Sequence, residues 1–238
     1  MTRLTSQSLS GTAEAVRLCL RDGHRAALQV AGGTHHAFYD RGEAFCVWND
    51  LAVGARIALH EYGLTSVLIV DLDVQCVSPL MFLTTQIVDL STCSQGNGTA
   101  ALFADEPRVV TFSMHGEKNY PWKSRTVSTY DVELPDATGD DEYLRLLNEW
   151  LPVLFERHKP ELVLFQAGVD VLVGDALGRL ALTRAGVAKR NHAVFSACVA
   201  ARVPCVVVMG GGYCRPIGPT VDAHADVFRA AAMRFSMA

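Results

Sequence analysis

Residues 66–74 read SVLIVDLDV. The first five are β-branched or aliphatic almost without interruption, a run that suits a short strand covered on both faces. It stops at two aspartates, Asp71 and Asp73, separated by a single leucine. Other runs share this pattern. HRAALQVA (24–31) meets Gly32-Gly33, and RVVTFSM (108–114) ends at His115. ELVLF (161–165) leads into Gln166-Ala167-Gly168-Val169-Asp170, and PCVVVM (204–209) ends in Gly210-Gly211-Gly212-Tyr213. Between the runs, residues 12–21, 50–62, 141–158, 183–202 and 221–235 space their apolar side chains three and four apart, as helices do. Alternating strands and helices predict an α/β domain built on a mostly parallel sheet, with residues 1–238 forming one domain.

Ligands of open α/β sheets bind beyond the carboxyl ends of the strands. The residues expected there are His35, His36, Asp71, Asp73, His115, Asp170 and Tyr213. Each has an ordinary structural reading alone: a hydrogen-bonded histidine, an aspartate capping a helix, a tyrosine over a flexible turn. Their joint occurrence points to one polar site. Paired carboxylates beside paired imidazoles suit a metal ion with a water-activating base. A catalytic zinc takes three protein ligands and leaves one position open. A neutral histidine oriented by a carboxylate can take the water's proton, and a tyrosine hydroxyl can stabilise the oxyanion. Such a set hydrolyses an amide.

Composition bounds the partners. The chain of 238 residues has a formal net charge of -4, half its residues apolar and 19% charged. Basic residues are scattered, so no nucleic-acid surface is expected. The polar first ten residues contain no secretory h-region, and no apolar run approaches the ~20 residues of a membrane helix. Seven cysteines without C-x-x-C spacing suit reduced thiols in an intracellular compartment, cytoplasmic or nuclear, with organelle targeting left open.

Several blocks, in order, resemble the histone deacetylase family. Gly32-Gly33-Thr34-His35-His36-Ala37-Phe38 and Phe45-Cys46-Val47-Trp48-Asn49-Asp50 are similar to its twin-histidine and GFC-x-x-ND blocks. Asp71-Leu72-Asp73-Val74 and the later Gln95-Gly96-Asn97-Gly98 are similar to a split DLDVHQGNG block. The segments 166–170 and 210–213 match the remaining two. SMHGEKN (113–119) and LGRLALT (177–183) resemble the class IV and bacterial class IV-like branch. The resemblance runs from about Thr12 to the C-terminus. It implies a three-layer αβα arrangement of the arginase/deacetylase type and a Zn2+-dependent hydrolase. The implied substrate is acyl-lysine, in a histone or another protein, or an acylated small amine. It also implies that His35 and His36 are the active-site pair, with His36 the general base. Asp71 would orient His35, and Asn97 would partner His36. Asp73 and Asp170 would bind zinc, and Tyr213 would be the oxyanion donor. Phe45, Gly211 and Gly212 would line the substrate channel.

The chain also departs from the pattern. The family's third zinc ligand is a histidine two residues after Asp73, where Gln75 stands here. A mostly apolar segment, Gln75–Ser94, separates the halves of that block. Ala44 replaces the glycine before Phe45-Cys46, placing a methyl group where it can crowd the channel. Family members also begin upstream of Met1, so the domain is expected to be incomplete at its start. The segment is expected to be a retained intron rather than a genuine loop insertion, because the residues at both ends permit in-phase splice junctions. Gln75 as CAG followed by Cys76 as TGT or TGC supplies an in-phase GT donor after CA. Ser94 as AGT or AGC supplies an AG acceptor followed by T or C, and joining restores a histidine codon. If the segment belongs to the mature protein, zinc binding is expected to fail and leave a pseudoenzyme or binding protein. A two-manganese ureohydrolase would use Asp222-Ala223-His224-Ala225-Asp226, but that segment has a helical pattern and is expected on a helix surface.

Overall fold

The computed structural model describes residues 2–74, 97–119 and 126–236, with side chains from residue 6 onward. Elements run α1 (Thr2–Arg21), β1 (Ala26–Gln29), α2 (Asp50–Glu61), β2 (Val67–Asp71), α3 (Asn97–Leu102) and β3 (Val109–Gly116). They continue with β4 (Tyr130–Leu134), α4 (Asp140–His158), β5 (Leu162–Gln166), α5 (Arg184–Ala201), β6 (Cys205–Val208) and α6 (Gly218–Ser236). The strands form one six-stranded sheet in the order β1-β6-β5-β2-β3-β4. Every neighbouring pair is parallel. No helix among the described residues is long and apolar enough to cross a membrane.

The continuous apolar runs are explained by what lies on each side. Leu68, Val70, Val163, Phe165 and Val207 join a core closed by α4, α5 and α6. Val67, Ile69, Leu162, Leu164, Val206 and Val208 point the other way, into a core closed by α1 and α2. Successive strand residues face opposite sides of a sheet, so a strand between two helical layers is apolar at every position. This is the predicted α/β architecture in three layers.

Several sequence expectations need correction. The polar start of the chain is helical, and α1 reaches back to Thr2. His115 does not follow a strand; it lies inside β3, where its Nδ1 is 3.0 Å from Ser113 Oγ. Of the Asp222–Asp226 segment, only the aspartates behave as helix-surface residues, both paired with Arg184. His224 is buried instead, and faces the loop after β6. The segment Gln75–Ser94 lies outside the described residues.

Candidate active site

Four adjacent strands deliver the site. β1 is followed by the turn carrying His35 and His36, and β6 by Gly210–Tyr213. β5 is followed by Ala167–Asp170, while β2 ends at Asp71 and leads to Asp73. These ends are neighbours because of the β1-β6-β5-β2 order, which a linear sequence does not display.

The histidine turn is fixed from α2. Asp50 is buried, and its carboxylate accepts from Thr12 Oγ1 at 2.6 Å, Gly33 N at 3.0 Å and Thr34 N at 2.7 Å. Asn49 caps α2 by accepting from Ala52 N at 2.9 Å. Its amide nitrogen donates to the carbonyls of His35 and Ala37, each at 3.1 Å. Gln166 Nε2 donates to Gly33 O at 2.8 Å. Gly33 itself has φ +81, in the left-handed region that favours glycine.

Within this frame the predicted pairs form. His35 Nδ1 is 2.6 Å from Asp71 Oδ2, and its Nε2 is 3.8 Å from Asp73 Oδ1. Burial opposes a charge on His35, but Asp71, by charge and hydrogen bond, outweighs it and raises the imidazole to about 9. The His36 ring meets that of His35 edge-on, with centroids 4.3 Å apart. Burial, reinforced by the positive His35, pushes His36 down to about 3 and keeps it neutral. His36 Nδ1 lies 3.0 Å from Asn97 Oδ1, and Asn97 Nδ2 donates to Glu43 Oε1 at 2.9 Å.

Asp73 and Asp170 lie against each other in the interior. Asp73 Oδ2 accepts from Gly211 N at 2.6 Å, and Asp170 Oδ1 accepts from Val74 N at 2.9 Å. No described donor reaches the buried Asp170 Oδ2. Burial and the neighbouring Asp73 charge raise Asp170 well above the usual carboxylate range; burial also opposes the Asp73 charge, but the His35 charge together with the hydrogen bonds from Asp170 and Gly211 N lowers it. Glycines leave the room for this pair: a Cβ at Gly210 would fall 2.6 Å from Asp73 Oδ2, and one at Gly211 2.7 Å from Asp170 Oδ2. Among the described residues no group of three or more metal-ligating side chains forms, and position 75 lies outside them.

Tyr213 stands beside Phe45, with ring centroids 6.2 Å apart. Its backbone N–H donates to Asp175 Oδ2 at 2.6 Å. Burial, with the Asp73 and Asp170 charges, raises its phenol and holds it as a donor. Phe45 is half exposed and belongs to a tight turn in which Glu43 and Cys46 exchange backbone hydrogen bonds of 2.9 and 2.8 Å. Ala44 in that turn has φ +51 and is exposed, so the constraint at position 44 falls on the backbone.

Two contributors escaped sequence reading. Glu43 meets Asn97 across 54 residues of chain. Arg190, in the middle of α5, is fully buried beneath the carboxylates. Its Nη1 donates to Gly168 O at 2.6 Å and Leu72 O at 3.2 Å, and its Nη2 to Ala167 O at 3.3 Å. It therefore binds together the two backbones that carry Asp71, Asp73 and Asp170. The sequence signal was Arg190 and Asn191 standing in the helical stripe of Val187, Val194, Phe195 and Cys198.

Comparison with known proteins adds a family. A sequence model described as the histone deacetylase domain matches residues 1–75 and 86–226, leaving out ten residues within 75–94. An uncharacterized protein of Picosynechococcus sp. is 42% identical over 228 residues, covering 95% of this chain and 68% of that protein. Histone deacetylase 2 of Arabidopsis thaliana is 32% identical over 209 residues, 87% of this chain and 49% of its own length. The polyamine deacetylase HDAC10 of Rattus norvegicus is 32% identical over 176 residues, 67% of this chain and 26% of its own. The chain thus spans about two-thirds of the first relative and half or less of the other two.

Proposed function

This chain belongs to the histone deacetylase family, and on that premise we propose that it hydrolyses the amide of an acylated amine. The substrate class is acyl-lysine in a histone or other protein, or an acylated small amine; a relative named as a polyamine deacetylase supports keeping the second. The observation that carries the reading is the buried Asp73–Asp170 pair, set beside two imidazoles and a phenol.

Two carboxylates pressed together, one with an oxygen that no described donor reaches, call for a proton or a cation between them. This fits a zinc ion at two of the three protein ligands that a catalytic site uses, namely Asp73 and Asp170. The third position falls at residue 75, outside the described residues. Zinc bound there would polarise the amide carbonyl and lower the pKa of water.

The chain's own groups supply the remaining chemistry. His36, neutral beside a positive His35, takes the proton of the attacking water at Nε2. His35, held by Asp71, keeps a positive charge next to the developing anion. Tyr213 donates its hydroxyl to the oxyanion. Phe45 and the side-chain-free Gly211 would line the approach of an extended acyl-amine; Gly212 does not, since a Cβ there would fall against Thr220 and Val169 in the interior.

A second reading rests on the missing third ligand: a protein that keeps the pocket but binds acylated amines without cleaving them. Two proteins discriminate, the chain as written and one with Gln75–Ser94 replaced by a single histidine. Each is assayed for bound zinc and for cleavage of a fluorogenic acyl-lysine peptide and an acetylated polyamine. The hydrolase reading expects the replaced chain to hold about one zinc per molecule and to cleave, with the chain as written far weaker in both. Zinc loading without cleavage of either substrate would sink the assigned chemistry. Activity of the chain as written at full strength would show that the ligand set is wrong.

A further inference from the structure

An imidazole can work as a base at Nε2 only if its proton sits on Nδ1. The partner of His36 Nδ1 does not enforce this. Asn97 is a carboxamide, with an acceptor at one end and a donor at the other, and the two ends are alike in shape. With its oxygen toward His36 it demands an Nδ1–H and leaves Nε2 bare. Turned over, it would donate to Nδ1 and put the proton on Nε2, where the base could accept nothing. Something else must choose the orientation.

We propose that Glu43 is that element: a positioning residue that holds Asn97 in one orientation and so sets the tautomer of His36. The inference rests on the reading of His36 as the base. Its ground is the chain of contacts from Glu43 Oε1 to Asn97 Nδ2 at 2.9 Å and from Asn97 Oδ1 to His36 Nδ1 at 3.0 Å. An ionised carboxylate only accepts hydrogen bonds, so the amide nitrogen must face it and the amide oxygen must face His36. Asn97 is fully buried, and among the described residues Glu43 is the partner of its amide nitrogen. The Asn97 backbone is pinned separately, its carbonyl accepting from Thr126 Oγ1 at 3.1 Å. The side chain is thus the one part left for Glu43 to orient.

Burial raises the Glu43 carboxyl, and the Asn97 hydrogen bond and the Arg41 charge oppose that shift and favour the accepting carboxylate. The carboxylate is largely covered, and Arg41 Nε lies 3.7 Å from Oε2 on the solvent side. The Glu43–Cys46 turn fixes its backbone with two hydrogen bonds, and the same turn presents Phe45 to Tyr213. One short loop therefore sets both the channel wall and the polarity of the base.

The test reads the tautomer directly. Histidine 15N–1H correlation spectra of the 15N-labelled chain distinguish an Nδ1–H ring from an Nε2–H ring, and the signal lost in His36→Gln assigns position 36. The parent protein should show Nδ1–H. Glu43→Asp keeps an acceptor-only carboxylate and should preserve that tautomer. Glu43→Ala removes the orienting contact and should give a mixture. Glu43→Lys offers only donors, so Asn97 should turn over and the ring should switch to Nε2–H. An unchanged tautomer in folded Glu43→Ala and Glu43→Lys proteins overturns the proposal, as does an Nε2–H ring in the parent. In the zinc-loaded, histidine-replaced chain, Glu43→Ala should lower kcat about 10- to 100-fold, as loss of an orienting partner does, with KM unchanged and Glu43→Asp near the parent value. Equal kcat in parent and Glu43→Ala, or a loss in Glu43→Asp as deep as in Glu43→Ala, overturns it too. The spectra are read without turnover. A tautomer that follows Glu43 in a protein that cleaves nothing would leave this inference standing and remove the hydrolase reading instead.

Discussion

At the scale of single residues, Ala44 shows how a departure from a family pattern acquires a physical cost. It is the first central residue of a two-residue hairpin loop and has φ +51. A left-handed conformation costs an L-residue roughly 1–2 kcal/mol, while glycine gives back roughly 0.5–1 kcal/mol through the entropy of the unfolded chain. Ala44→Gly should therefore stabilise the protein by about 0.5–1 kcal/mol, a rise of about 2 °C in the melting temperature for a chain of this size. Differential scanning fluorimetry decides it, and a lower melting temperature would mean that the turn gains nothing from glycine. Residues of this kind were only partly legible. His35, His36, Asp71, Asp73, Asp170 and Tyr213 stand out in sequence because each sits just past or at the end of an apolar run. Glu43 has no such position, and its partner Asn97 is distant in sequence, so only the fold joins them.

At the scale of elements, strands flanked by helices on both faces announce themselves, and those that are not do not. β1, β2, β3, β5 and β6 lie within or against the apolar runs, whereas β4 is an edge strand with burial on one residue only and the mixed sequence YDVEL. α3 has six residues and starts at Asn97, too short to show a period. The N-terminal half of α1 is exposed or half exposed where its side chains are described, and so carries no apolar stripe. The join between elements that matters most to the site is made by Arg190, reaching from α5 to the ends of β2 and β5. Beside Asn191 Oδ1, its partners are three backbone carbonyls, which no substitution can remove. Arg190→Met would leave Leu72 O, Ala167 O and Gly168 O without their buried donor and the three nearby carboxylates without a buried guanidinium. Breaking a buried charged contact on one side costs about 3–5 kcal/mol, and that loss is expected in urea unfolding of this variant. A change below about 1 kcal/mol would mean that the β2 and β5 ends hold their geometry without the clamp.

At the scale of the whole molecule, the sheet order collects the strand ends and α6 closes over them. Alternation of buried side chains made the layered α/β arrangement readable, but nothing in the linear pattern placed α6 against the loop after β6. For that reason His224 was expected on the surface. It is buried, it hydrogen-bonds the Gly211 backbone, and burial aided by the positive Arg190 lowers its pKa to about 4. The pH consequence has a definite sign. In the unfolded chain a histidine titrates near 6.5, so on acidification that state binds a proton the folded state refuses. The stability tied to a neutral His224 is complete above about pH 6.5 and declines as the pH falls toward 4. His224→Gln retains an N–H for Gly211 but does not titrate. Between pH 7 and pH 5 the parent should lose about 2 kcal/mol more than the variant. Other titrating groups, His36 among them, are common to both proteins and cancel in that difference. Denaturant unfolding at the two pH values gives the number. Parallel losses in parent and variant would mean that His224 accepts its proton in the folded protein and that the contact between α6 and the Gly210–Tyr213 loop opens to admit it.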